Sequence, residues 1–157
     1  MSITTKTGDK GMTDGPSGMR VYKDDGFCRV VGSLDEINAC IGLTEGYNLT
    51  VVQNTLLNIG ATLYDGVDRL EEFDVKLLET LMHDLERDDL KGFVLPDNMF
   101  HLARAVCRRA EREMIAAMNP TNHITPLMIK YLNRLSDLLF VLATNNAELK
   151  YWNSRKV

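Results

Sequence analysis

The stretch "TPLMIKYLNRLSDLLFVLATNNAEL", residues 125–149, gives the clearest indication of the fold. Thr125 followed by Pro126 is typical of a helix start, because the hydroxyl caps free N–H groups and proline suits the first helical position. Leucines then recur every three or four residues, at Leu132, Leu135, Leu138, Leu139 and Leu142. We therefore predict a last helix that runs through Leu149 and packs its leucine face into a core.

The same spacing of apolar residues predicts four further helices upstream. Ser33 and Glu36 form a capping-box pattern at the start of the first, and Asp74 is a candidate N-cap of the third. The second, third and fourth helices are predicted over residues 49–67, 73–87 and 99–118. No strand pattern is found. The predicted fold is all-α, a five-helix bundle in a single domain over residues 1–157, with a polar arm at 1–25 and the bundle at 26–150.

Composition narrows the class of protein. The 157 residues suffice for one hydrophobic core, and the net charge of −4 argues against nucleic-acid binding. Cys28, Cys40 and Cys107 are far apart in the sequence, which favours reduced thiols over disulfides or a zinc site. No apolar run is long enough for a membrane span, and a signal-peptide pattern is absent. We expect a cytoplasmic protein that binds neither membranes nor nucleic acid.

The polar stretch "TTKTGDKGMTDG", residues 4–15, has almost nothing to bury. Gly8 and Gly11 free the backbone, so that successive N–H groups can converge on a phosphate among threonine hydroxyls and lysines. The stretch is not a P-loop, because the GxxxxGK[ST] motif and a preceding strand are both absent. A phosphate-binding arm and a merely solvated arm both fit these residues.

Arg104, Arg108 and Arg112 recur every four residues on the predicted fourth helix. Like charges at this spacing destabilise a helix by about 0.2–0.5 kcal/mol per pair, so something should offset the repulsion. One interpretation is a solvated face partly neutralised by Glu111 and Glu113. The other is a row that faces a polyphosphate or buried carboxylates, which guanidinium groups bind bidentately.

Other polar residues are weaker signals. Asn133, Ser136 and Asp137 fall within one turn of the last helix and fit either a satisfied polar patch or an exposed surface. Asp35 is favoured near a helix start by the macrodipole, or it pairs with an arginine. The histidines lack metal-ligand spacing, so we expect surface or packing roles for them and no protein metal site.

Six motifs occur in an order that is highly specific: "TKTGDKG", "RVYKDD", "GSLDEINACIG", "FVLP", "CRRAER" and "YLNRLSD". Over nearly its whole length the chain resembles the PduO-type ATP:cob(I)alamin adenosyltransferases. The resemblance implies a homotrimer of five-helix bundles with active sites between neighbouring subunits. It also implies transfer of the 5′-deoxyadenosyl group of ATP to the cobalt of cobalamin, with Mg²⁺ on the nucleotide and triphosphate released. A reductase and an adenosylcobalamin-dependent enzyme are the implied partners.

The resemblance assigns roles to individual residues. Residues 5–11 correspond to an arm that wraps the triphosphate, and Phe93 stands where an aromatic ring lies against the lower face of the corrin. Arg104 resembles an arginine that pairs with the carboxylate at Asp35 on the corrinoid side, and these two residues with Arg108 form the implied catalytic set. The implied ATP-binding residues are Thr5, Lys6, Thr7, Gly8, Asp9, Gly11, Lys23, Arg108, Glu111, Arg112 and Asn133.

The segment "FVLPDNMFHLAR", residues 93–104, is shorter than usual in this family and lacks a Gly-Gly pair. It motivates a second hypothesis, a non-catalytic relative that binds ATP or a corrinoid as a sensor or carrier. A helical-bundle interaction protein without a small ligand is a third. The sequence shows no activated nucleophile or general base, which favours the enzyme because cob(I)alamin is itself a strong nucleophile.

Overall fold

A computed structural model describes residues 4–145 and 147–153 of the chain. Most of this part is helical, which confirms the all-α, five-helix bundle. Helix α4 packs between α1 and α5, while α2 packs on α1 and α3 packs on α5. The helices are α1 Gly26–Gly42, α2 Thr50–Asp65, α3 Glu72–Leu85, α4 Met99–Ala116 and α5 Pro126–Thr144.

The leucine face of α5 forms the centre of the core, as the sequence predicts. Leu132, Leu135, Leu138 and Leu139 are fully buried. Each fully buried leucine contributes about 1.5–3 kcal/mol relative to an exposed one. The other four helices supply buried partners, including Ile37, Ile59, Leu78 and Met114. A single core therefore joins all five helices and fixes the directions in which their polar faces point.

Helix α5 begins as predicted but ends earlier. The hydroxyl of Thr125 accepts a hydrogen bond from the N–H of Met128 at 3.4 Å, and Pro126 is the first helical residue. The predicted continuation to Leu149 is wrong, because Asn145 adopts an extended conformation with ψ of 133°. The carbonyl of Thr144 accepts a hydrogen bond from Arg87 instead of continuing the helix. The predicted continuation also included residue 146, which lies outside the described residues.

The predicted start of α1 is wrong. Asp25 is its N-cap, and the carboxylate accepts a hydrogen bond from the N–H of Phe27 at 2.8 Å. Ser33 lies inside the helix, is buried, and donates a hydrogen bond to Glu113 of α4. The helix thus starts seven residues before Ser33, and its buried face already includes Phe27. The capping-box pattern of Ser33 and Glu36 does not mark a helix start.

The predicted N-cap of α3 is also wrong, by three residues. Glu71 occupies the cap, and Asp74 is the third helical residue. The carboxylate of Asp74 accepts a hydrogen bond from the N–H of Glu71 at 2.8 Å, which is one half of a capping box. The acidic pair thus marks the helix start from both sides.

A two-stranded hairpin in the arm departs from the all-helical prediction. Strands β1 (Met12–Asp14) and β2 (Arg20–Tyr22) pair antiparallel, with Thr13 opposite Val21. Each strand has only three residues, too few for an alternating pattern to be recognised. A Cβ on Gly15 would lie 2.7 Å from Cγ1 of Val21, so this turn requires glycine.

Candidate active site

A cavity of about 880 Å³ opens between α3, α4, α5 and the segment 90–96 that leads into α4. Phe93 lines this cavity and is 78% exposed. Arg104 faces it from α4, and its guanidinium carbon lies 5.3 Å from the centroid of the Phe140 ring. The volume suits a small-molecule site. Two of the residues that the resemblance assigns to the corrinoid side therefore share one cavity. Phe140 also lines it, although nothing in the sequence pointed to this residue.

The charged rim of this cavity is largely paired. Nε of Arg134 lies 2.9 Å from Glu79 of α3, and its Nη1 lies 3.3 Å from Asp137 on the next turn of α5. Arg134 is thereby held by two carboxylates that also line the cavity. Within residues 4–145 and 147–153, Arg104 has no carboxylate partner, so its charge is available to a ligand or to another chain.

His101 lies on the cavity wall one helical turn before Arg104 and is only 5% exposed. Its Nε2 is buried without a hydrogen-bond partner among the described residues, and its ring packs edge-on against Phe140 at 6.3 Å. Burial lowers the pKa of His101; the nearby Arg104 also lowers it, and Asp97 opposes both. The imidazole is therefore favoured in its neutral form. His101 is a packing histidine, one of the two roles expected for the histidines. Its position at the cavity was not predicted. The only signal in the sequence was that His101 lies three residues before Arg104.

The arm is folded on itself from Thr5 onwards. The N–H of Asp9 donates to the carbonyl of Lys6 at 3.4 Å, and the N–H of Gly11 donates to that of Gly8 at 3.2 Å. Arg20 of the hairpin donates to the carbonyl of Thr7 at 2.9 Å. Two turns in succession thus close this part of the arm, and the N–H groups of Asp9 and Gly11 are satisfied within it.

Lys23 lies next to this loop. A Cβ on Gly8 would be 3.0 Å from Nζ of Lys23, so glycine permits the close approach of the ammonium group. Lys23 also lines a cleft of about 390 Å³ between the arm, α1 and α4. The cleft contains Arg109, which pairs with Glu36 and, at 3.9 Å, with Glu113. Arg109 is therefore already neutralised by carboxylates of its own chain.

Arg108 and Arg112 lie on the exposed face of α4 and are not among the residues that line this cleft. Nη1 of Arg112 donates to the carbonyl of Arg108 at 2.9 Å, while the guanidinium of Arg108 has no hydrogen bond within the described residues. On the α5 side, the amide of Asn133 lies 3.3 Å from a carboxylate oxygen of Glu111. Four of the implied ATP-binding residues thus cluster on α4 and α5.

Asp35 lies apart from all three of these groups, in a groove between α1 and α2 of about 230 Å³. Leu57 at the same groove is 56% exposed, so an apolar side chain accompanies the carboxylate at the surface. Among the described residues, no hydrogen bond or ion pair connects Asp35 to Arg104. In the same part of the chain, none connects residues 5–25 to the side chains of Arg104, Arg108 or Arg112. One chain therefore places the implied site residues in four separate groups.

The thiols and carboxylates form neither a disulfide nor a metal-binding cluster in the part of the chain that the structure describes. Cys28, Cys40 and Cys107 are all free, and burial is the main cause that raises the pKa of Cys28 and of Cys107. No group of three or more histidine, cysteine or acidic side chains is placed to hold a metal ion among residues 4–145 and 147–153. In the same residues, no helix combines the length and apolar character needed to cross a bilayer.

Comparison with known proteins gives a consistent result. The family model for cobalamin adenosyltransferase matches residues 3–145. A corrinoid adenosyltransferase of Bacillus subtilis (strain 168) is 36% identical over 166 residues, which cover 91% of this chain and 85% of the relative. The corrinoid adenosyltransferase MMAB of Bos taurus is 33% identical over 182 residues, which cover 99% of this chain and 75% of the relative.

Solved structures agree with these relatives. A variant of the PduO-type ATP:corrinoid adenosyltransferase from Lactobacillus reuteri, complexed with cobalamin and ATP, superposes with a TM-score of 0.79 at 27% identity. The match covers 90% of this chain and 89% of that chain. A second variant of the same enzyme, complexed with ATP, also has a TM-score of 0.79, at 29% identity over 90% of this chain and 91% of that one.

Proposed function

The chain belongs to the cobalamin adenosyltransferase family, and on that premise we propose that it transfers the 5′-deoxyadenosyl group of ATP to cob(I)alamin. The products are adenosylcobalamin and triphosphate. The observation that carries the proposal is the cavity that Phe93 and Arg104 share, because it brings an aromatic ring and an unpaired guanidinium to one small-molecule site. The Bacillus subtilis relative is named a corrinoid adenosyltransferase, and the Lactobacillus reuteri enzyme holds cobalamin and ATP.

The reaction requires little acid–base chemistry from the protein. The cobalt(I) lone pair attacks C5′ of ATP, the C5′–O bond breaks, and its electrons leave with the triphosphate. The protein therefore has to align C5′ with cobalt and stabilise the charge that develops on the leaving group. Cationic side chains and backbone N–H groups are suited to this task, whereas the free thiols of the chain are not needed.

On the corrinoid side, we assign Phe93 to the lower face of the corrin, and Arg104 and Asp35 to its surroundings. Reduction of cob(II)alamin to cob(I)alamin is easier once the lower axial ligand is lost. An apolar ring below cobalt favours that loss because it offers no replacement ligand. The exposure of Phe93 toward the cavity supports this role.

On the nucleotide side, we assign the phosphates to the arm and to the exposed arginines of α4. Arg108 contacts the phosphates most directly, with Arg112 and Glu111 beside it and Asn133 toward the nucleoside. The loop residues Thr5, Lys6, Thr7, Gly8, Asp9 and Gly11, together with Lys23, wrap the triphosphate. The ammonium group of Lys23 beside Gly8 and the free guanidinium of Arg108 support the assignment.

We further propose that neighbouring copies complete the site in a homotrimer. Asp35 lies in the α1–α2 groove and Arg104 faces the cavity beside α5, so an Asp35–Arg104 pair requires two chains. The same holds for the arm and the row of Arg108 and Arg112, which lie on different sides of α4. The exposed apolar residue beside Asp35 supports a surface that another copy covers.

Magnesium, location and partners complete the proposal. Mg²⁺ is bound mainly by triphosphate oxygens and water, as is usual for this ion on nucleotides. The free thiols support a reducing compartment, the cytoplasm. A reductase supplies the electron for cob(II)alamin, and an adenosylcobalamin-dependent enzyme consumes the product.

The proposal is tested by comparing binding with turnover. ATP and cobalamin are titrated by calorimetry, and the same protein is then incubated with excess ATP, Mg²⁺ and chemically reduced cobalamin. An enzyme converts many equivalents of cobalamin per chain. A sensor or carrier binds one or both ligands but forms no adenosylcobalamin. A bundle that serves only protein interactions shows no rise in melting temperature with ATP.

A further inference from the structure

The chain after α5 turns back to pair with the segment that lines the cavity. Residues 147–153, here called the C-terminal strap, run antiparallel to the residues around Phe93. The N–H of Leu95 donates to the carbonyl of Lys150 at 2.7 Å, and the N–H of Trp152 donates to that of Phe93 at 2.8 Å. The segment that carries Phe93 is therefore held in a short two-stranded ladder.

Arg87 fixes the start of the C-terminal strap to the bundle. Its Nη1 donates to the carbonyl of Thr144 at 2.9 Å and to that of Ala147 at 3.1 Å. Its Nε and Nη2 each lie 2.7 Å from the carboxylate of Asp89. The guanidinium thus joins the α3–α4 connection, the end of α5 and the strap, so the strap is anchored at a point separate from its ladder.

The ring of Trp152 packs edge-on against that of Phe93, with centroids 6.2 Å apart and planes at 75°. Phe93 is 78% exposed, so few other contacts fix its ring. An aromatic pair of this geometry is strong enough to shift a conformational equilibrium by roughly two- to tenfold. Trp152 is accordingly the side chain best placed to select one orientation of Phe93.

We propose that the C-terminal strap sets the position of Phe93 at the cavity and that Trp152 is the positioning residue. This inference rests on the proposed function, because it assumes that Phe93 lies against the lower face of the corrin. The connection from Phe93 to α4 is short, and the strap supports it from outside the bundle. Trp152 acts through Phe93 and makes no contact with the reacting atoms.

The first test measures catalysis and the axial ligand of cobalt. Trp152→Ala and the conservative Trp152→Phe are compared, with Phe73→Ala as a control for loss of an exposed aromatic ring at the start of α3. Bound cob(II)alamin is examined by electron paramagnetic resonance at saturating ATP. Trp152→Ala should lower the share of cob(II)alamin without an axial ligand, and kcat with cob(II)alamin and an added chemical reductant, by roughly two- to tenfold. The KM for ATP should not change.

The expected control results are equally specific. Trp152→Phe should recover most of both signals, and Phe73→Ala should match the wild type. A Trp152→Ala protein with wild-type spectrum and kcat would overturn the inference. Because Trp152 is 59% exposed, its replacement removes little of the core and should leave the fold intact.

A second test does not depend on activity. The phenylalanines are replaced by a fluorinated analogue, and the ¹⁹F resonance of position 93 is assigned with Phe93→Leu. Arg87→Gln removes the anchor at the start of the strap without changing either aromatic ring. This variant should shift or broaden the resonance of position 93. An unchanged resonance would overturn the inference. If the wild type forms no adenosylcobalamin, the proposed function fails, while this spectrum still decides whether the strap holds Phe93.

Discussion

Arg108 and Arg109 are neighbours on α4, yet their guanidinium groups have different surroundings. Arg109 pairs with Glu36 and Glu113, whereas Arg108 has no side-chain hydrogen bond in the described residues. A paired arginine contributes to the fold, and an unpaired one at a surface is available to an anion. The sequence alone left both interpretations open for the arginine row, and a phosphate contact by Arg108 stays a prediction.

We therefore expect Arg108→Ala to lower kcat/KM for ATP by roughly a hundredfold, the usual effect of removing one donor that stabilises a developing negative charge. Arg109→Ala is the matched control and should have a much smaller kinetic effect. Both proteins should remain folded, because the two side chains are partly or fully exposed. Steady-state kinetics at saturating cob(I)alamin provides the measurement, and equal losses in the two variants would contradict the assignment.

His101 is the site residue that was hardest to foresee from the sequence. Burial lowers its pKa below the ordinary value of about 6.5, so the unfolded chain binds the proton more readily than the folded chain does. The free energy of unfolding should therefore fall as the pH drops below about 6.5. Urea unfolding at a series of pH values should show a smaller decrease in His101→Phe than in the wild type. Identical slopes would mean that His101 is not held neutral.

At the scale of elements, the start of α4 connects the cavity segment to the bundle. Oδ1 of Asn98 accepts hydrogen bonds from the N–H groups of Phe100 and His101, at 3.1 and 3.3 Å. Nδ2 of Asn98 also donates to the carbonyl of Ala143 on α5 at 2.9 Å. One side chain thus caps α4 and ties it to the end of α5.

Asn98→Ala should reduce the free energy of unfolding by about 1–2 kcal/mol, because a helix cap and one further hydrogen bond are both lost. Asn98→Ser keeps an oxygen for the cap but cannot reach Ala143, so its loss should be smaller. Urea denaturation compares the two variants with the wild type. A serine variant as unstable as the alanine variant would show that the cap contributes little.

Local signals predicted some elements and misplaced others, for physical reasons. Thr125 and Pro126 marked the start of α5 correctly because both act through neighbouring backbone alone. Ser33 formed a capping-box pattern but is used to bind Glu113 on another helix, a contact between residues distant in sequence. The end of α5 likewise involves a residue distant in sequence, because the carbonyl of Thr144 accepts a hydrogen bond from Arg87.

In the candidate site, too, local motifs were informative and contacts between distant residues were not predicted. Motifs proposed Phe93, Arg104 and Arg108 as site residues, because their residue types and order are characteristic of the family, and their roles stay predictions. The pairing of Trp152 with the Phe93 segment was not foreseen, since nothing local to either segment requires it. Nor did the sequence indicate that Phe140 stacks on Arg104. Pairings across the fold become visible only when the helices are packed.

At the scale of the whole molecule, the implied site residues of one chain lie in four groups. Asp35 in the α1–α2 groove and Arg104 at the cavity are expected to pair between copies. Asp35→Arg should therefore weaken assembly by placing two cations opposite each other, and the double variant with Arg104→Asp should restore it. Sedimentation velocity over a range of protein concentrations gives the measurement. A trimer unaffected by Asp35→Arg, or no recovery in the double variant, would contradict the pairing.

The most direct measurement is the reaction itself, followed by both products. Wild-type protein is mixed anaerobically with ATP, Mg²⁺ and cob(I)alamin, and the conversion to the light-sensitive alkylcobalt spectrum is recorded while triphosphate is quantified. We expect adenosylcobalamin and triphosphate to appear in equal amounts over many turnovers. Binding of ATP without formation of the alkylcobalt product, or release of phosphate and diphosphate unaccompanied by adenosylcobalamin, would contradict the proposed adenosyl transfer.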